Sequence, residues 1–79
     1  MVQRPELKRF ADYMEGILKA NDHKGGWDQE DNDYLLNYLM GEVEELRQAV
    51  EIGDEGRIRK ECSDVANLAM MLFNNNEDL

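Results

Sequence analysis

The sequence predicts an all-α chain of about three helices, forming a helical bundle completed by oligomerisation. Apolar residues recur at intervals of three and four in three separate stretches, and residues that favour turns divide those stretches. No stretch alternates apolar and polar residues in the manner of a half-buried strand. The 79 residues are read as one domain, 1–79.

The first helix is expected from about Pro5 to about Ala20. Pro5, the one proline, suits a first helical turn, and Leu7, Phe10, Met14, Ile17 and Leu18 follow at helical spacing. Asn21-Asp22-His23-Lys24-Gly25-Gly26-Trp27-Asp28 reads as a loop, because paired glycines and Asn/Asp residues break helices. His23 is read as a surface residue of that loop.

A second helix should start between Asp28 and Asn32, a stretch rich in capping residues. Leu35, Leu36, Leu39, Val43, Leu46 and Val50 mark its apolar face, and Gly53 suits its C-terminal cap. Asp54 can then cap a third helix to about Asn74, with Ile58, Cys62, Val65, Leu68, Ala69, Leu72 and Phe73 as apolar positions. Cys62 is read as packing, and Met14, Met40, Met70 and Met71 as core or interface filler. Asn74 to Leu79 is expected to be a polar, frayed tail.

Composition excludes several classes of function. Nine Lys and Arg face 18 Asp and Glu, a net charge of −9, which argues against binding nucleic acid polymers or an anionic membrane. A phosphate-bearing ligand would need cations to be tolerated, and divalent metals are the obvious ones. No apolar run approaches the roughly 20 residues of a membrane span, and the first turns carry Arg4, Glu6, Lys8 and Arg9 rather than an apolar signal segment. A lone cysteine offers no disulfide framework, so a reducing cytoplasm is the expected location. A chain this short buries only about 60% of its unfolded surface, which makes oligomerisation the expected source of further stability.

Four carboxylates stand out. Glu42 and Glu45 lie three apart on the second expected helix, and Glu61 and Asp64 repeat that spacing on the third. A short Gly53-Asp54 connection forces the helices antiparallel, and at about 1.5 Å per residue the two pairs fall at similar height from the turn. Glu42 borders the apolar arc of its helix, Glu61 falls inside its own, and Asp64 and Asn67 sit at the margin. One Glu-x-x-Glu pair alone reads as an ordinary solvated face. Two pairs bordering buried stripes and opposed across a tight turn would be costly unless paired or bound to metal. Arg57 and Lys60 are the nearest cations, and neither is positioned to neutralise all four acids. Hard oxygen ligands without histidine suit Mg²⁺, or Mn²⁺, rather than zinc or a di-iron centre.

Gly41-Glu42-Val43-Glu44-Glu45-Leu46, a spacer of 15 residues after Glu45, and Glu61-Cys62-Ser63-Asp64-Val65-Ala66-Asn67 resemble the signature of the MazG-like all-α nucleotide pyrophosphohydrolases. This group is related to the all-α dCTP pyrophosphatases and dimeric dUTPases. Lys24-Gly25-Gly26-Trp27 is similar to the segment before the second helix of MazG-like members, and the resemblance runs from about His23 to Phe73. It implies Mg²⁺-dependent hydrolysis of (deoxy)nucleoside triphosphates to monophosphate and pyrophosphate in nucleotide-pool housecleaning. Glu42, Glu45, Glu61 and Asp64 would be catalytic metal ligands, one glutamate serving instead to orient the attacking water. Asn67 would contact the substrate, Lys24 would meet phosphate as a point charge, and Trp27 would either stack on the base or seal the loop over the core.

The family site usually sits in a four-helix arrangement that a partner subunit completes. The resemblance therefore implies a homodimer or homotetramer with the site near the interface. Two alternatives stand beside this reading. One is a phosphoribosyl-ATP pyrophosphohydrolase, against which the Lys24–Trp27 segment weighs. The other is a non-catalytic acidic helical dimer acting as an adaptor or regulator.

Overall fold

In a computed structural model, which describes residues 3–21 and 26–77, the chain is all-helical. Helix α1 spans Pro5–Asn21, α2 Asn32–Ile52 and α3 Glu55–Asn75, with a single 3₁₀ turn at Trp27–Gln29 ahead of α2. His23 and Lys24 lie outside the described residues.

The connection from α2 to α3 fixes the architecture. Gly53 takes φ 79°, the left-handed conformation that costs glycine nothing. Its N–H donates to the carbonyls of Ala49 (2.9 Å) and Val50 (3.1 Å), while the Asp54 N–H reaches Ala49 O at 3.3 Å. Orphan carbonyls of the last turn of α2 are thereby satisfied, as in a Schellman motif. The Asp54 side chain accepts from the Arg57 N–H at 3.2 Å and so caps α3. One residue thus closes the first helix's end and opens the second, leaving no slack in the turn. The Asp31 side chain caps α2 likewise, accepting from the Tyr34 N–H at 2.8 Å.

Helix α2 packs along α3, α1 packs on α3, and α1 makes no such contact with α2 among the described residues. A cleft therefore opens between α1 and α2, floored by α3. Leu35, Ala49 and Leu68 are the buried apolar residues among those described. Ala49, small enough to let the two helices approach near their turn, was not among the expected apolar positions.

Two expectations are corrected. Leu36, Val43 and Val50 are exposed, because α2 has one helical neighbour and its apolar arc is wider than one helix covers. With Met40 at 58% exposure they form a stripe along the outer side of α2, and Phe73 of α3 is 69% exposed. The expected frayed tail is partly anchored instead. Asn75 Nδ2 donates to Trp27 O at 3.2 Å, and Asn32 and Asn76 exchange amide hydrogen bonds of 3.2 and 2.7 Å. These amides tie the end of α3 to the 3₁₀ turn and to the start of α2.

Candidate metal centre

Antiparallel pairing brings Glu42 and Glu45 of α2 opposite Glu61 of α3. Each of the three offers a carboxylate oxygen within 4.8 Å of the other two. Glu61 is 3% exposed, set among the residues that α3 turns toward α2. Its Oε1 accepts from Lys60 Nζ at 3.2 Å, while Oε2, like Oε2 of Glu42, has no hydrogen-bond partner among the described residues. Like charges at about 4–5 Å repel by a few kcal/mol even at an effective dielectric near 20, so the cluster calls for added positive charge.

Asp64 stands beside the trio rather than within it. Lys60 Nζ lies 2.7 Å from its Oδ2 and draws that carboxylate aside. Lys60 thus engages two of the four acids, Asp64 at the i, i+4 spacing of a helical ion pair and Glu61 beside it. Bonding to Asp64 first, and to Glu61, holds the Lys60 ammonium well above its usual range.

The crowding divides protons unevenly. Burial, followed by hydrogen bonding and charge repulsion from Glu45 and repulsion from Asp64 and Glu61, pushes the Glu42 carboxyl up to about 7. Glu45, exposed and hydrogen-bonded with Glu61 and then Glu42, is held below the usual carboxylate range, with Lys60 and Arg57 helping.

Of the four acids, Glu42 and Asp64 line the cleft, whose volume is about 510 Å³, within the ordinary range for a small-molecule site. Tyr34, Tyr38 and Glu42 line it from α2 at successive steps of four. The tyrosine rings lie 6.2 Å apart. Trp27 and Leu18 enclose the far end, and Lys60, Asp64, Asn67 and Met71 form the α3 side. Trp27 is half-buried, on the cleft wall rather than sealed in a core. Tyr34 and Tyr38 were not singled out from the sequence, although an aromatic ridge leading to the first carboxylate is visible in it.

Asn67 is 3% exposed. Its Nδ2 donates to Met14 O at 3.3 Å, and its Oδ1 has no partner among the described residues. The amide is thus oriented by α1, with Oδ1 a buried acceptor left unused among the described residues.

A pH dependence follows from Glu42. Its folded carboxyl binds a proton that the unfolded chain releases near 4.5, so its contribution to stability is present at low pH and lost as pH rises through about 7. A divalent cation bound among these carboxylates would replace that proton. In chelator, the contribution of Glu42 to thermal stability should decline through this window, and Mg²⁺ should raise the melting temperature more at pH 8 than at pH 5.5. Melting scans of wild type and Glu42→Gln check this, and an equal Mg²⁺ effect at both pH values in the wild type would contradict it.

No protein-family model matches the chain, and no solved structure does. An uncharacterized protein of Archaeoglobus fulgidus is 36% identical over 63 residues, which covers 80% of this chain and 68% of the archaeal one. At that identity and coverage, the chain belongs to the same family as the uncharacterized archaeal protein.

Proposed function

We propose that this protein is a MazG-like nucleoside triphosphate pyrophosphohydrolase, cleaving (deoxy)nucleoside triphosphates between the α- and β-phosphates with Mg²⁺ or Mn²⁺. One observation carries the reading. Glu42, Glu45 and Glu61 converge within 4.8 Å, and buried Glu61 keeps an oxygen without a partner among the described residues. The donor set is all carboxylate, which suits a hard cation that also binds phosphate oxygens. Glu42, Glu45 and Glu61 would hold it, with Asp64 joining once released from Lys60. The cation would neutralise phosphate charge and acidify the attacking water.

The chain's own groups then position the substrate. The cleft takes the nucleoside, with Tyr34, Tyr38 and Trp27 offering ring faces to the base. Asn67 Oδ1, already oriented by Met14 O, accepts a hydrogen bond from the sugar or the base. Lys24 lies outside the described residues, so its part in binding phosphate rests on the sequence alone.

In this reading, Glu61→Gln and Asp64→Asn abolish pyrophosphate release in a triphosphate panel, by a hundredfold or more, while far-ultraviolet circular dichroism stays helical. Turnover retained in both variants would remove the mechanism.

The functional unit in this proposal is a homo-oligomer, a homodimer or homotetramer. Three buried apolar residues among those described make a small core, and the stripe of Leu36, Met40, Val43 and Val50 keeps the spacing of a helix-packing seam. Arg47 interrupts that stripe and is held by Glu44 and Glu51 of its own helix. Val43→Glu should shift the sedimenting species toward monomer. An unchanged oligomer, or a monomeric wild type, would contradict this part of the proposal.

A further inference from the structure

One ridge of α3 runs Arg57, Lys60, Asp64, Asn67, Met71, at steps of three and four. All five line surface hollows. The last four belong to the cleft, and Arg57 and Lys60 line a second, more open groove between α1 and α3 with Tyr13, Gly16, Ile17 and Gly56. Ile17 and Lys60 are common to both, so the groove continues the cleft past the carboxylates. At about 1.5 Å per residue the ridge is some 21 Å long, enough for a nucleotide with an extended triphosphate. Its chemistry is ordered along that length: two cations, a carboxylate beside the metal cluster, an amide with a free acceptor, then an apolar end facing Trp27 and Tyr34.

We propose that the Arg57–Lys60 groove binds the two terminal phosphates, and hence the departing pyrophosphate, so that the nucleotide lies with its base toward Trp27 and its tail toward the start of α3. This rests on the pyrophosphohydrolase reading and adds the orientation of the substrate to it. Arg57 and Lys60 are the cations that line the two hollows among the described residues. Lys60 is committed to Glu61 and Asp64, whereas the Arg57 guanidinium, half-buried, makes no hydrogen bond or ion pair among the described residues. The Arg57 amide is taken by Asp54, so the forked side chain, not the helix end, is what the groove offers an anion. Arg57 shares its groove with Lys60, which in turn reaches Glu61 and Asp64, so the two cations lie on one path to the carboxylates.

The test is calorimetric titration in Mg²⁺ with three probes: inorganic pyrophosphate, an α,β-imido deoxynucleoside triphosphate, and the matching monophosphate. Arg57→Gln should weaken pyrophosphate and the triphosphate analogue tenfold or more, leave the monophosphate within about twofold, and keep the wild-type helicity. Arg57→Lys should recover part of the loss. Unchanged binding of all three probes by Arg57→Gln, or equal weakening of the monophosphate, would overturn the groove assignment while leaving the pyrophosphohydrolase reading intact. A wild type that binds neither the analogue nor the monophosphate would overturn both.

Discussion

Repulsion among confined carboxylates is the constraint on which the rest of this structure turns. Burying one acid without a full set of donors is costly, and placing two more within reach of it adds to the cost. Glu61 is held there by helix geometry, since a ridge of α3 that faces α2 cannot direct its side chain elsewhere. The protein meets the charge in part with Lys60 and in part by raising Glu42 until it holds a proton near neutrality. Neither gives Glu61 Oε2 or Glu42 Oε2 a partner among the described residues. A bound cation would satisfy both oxygens at once, which is why the cluster supports a metal centre better than an acidic surface patch does.

The fold serves that convergence. Gly53 and Asp54 set the α2–α3 register by satisfying both helix ends within two residues, and a looser connection would let the carboxylate pairs slide past each other. Among the described residues helix α1 packs on α3 and not on α2, which leaves the side of α2 bearing Tyr34, Tyr38 and Glu42 without a packed helix against it. The same economy of contacts leaves a small core and an apolar stripe on the outer side of α2. The cleft and the uncovered stripe are therefore two consequences of one fact: among the described residues, α2 is paired on one side only.

Much of this was legible in the sequence. Helical spacing, Pro5, Gly53 and Asp54 located the three helices to within a residue or two, because those signals are local. The facing of Glu42, Glu45 and Glu61 followed from helix periodicity and one tight turn. What escaped depended on how elements sit in space. Leu36, Val43 and Val50 look like core residues on a helical wheel, yet a wheel does not say how many neighbours a helix has. Lys60 looks like a solvated lysine until its reach to Asp64 is seen. Asn75 and Asn76 read as a polar tail, and their anchoring role depends on where Trp27 and Asn32 lie in three dimensions.

The metal centre is tested most directly by anomalous diffraction from crystals of the protein grown with Mn²⁺. A peak bounded by Glu42, Glu45 and Glu61, at direct-ligand distance from their carboxylate oxygens, is the expected result. Carboxylates that stay in place around no anomalous density at millimolar Mn²⁺, or that splay apart into solvent, would contradict it.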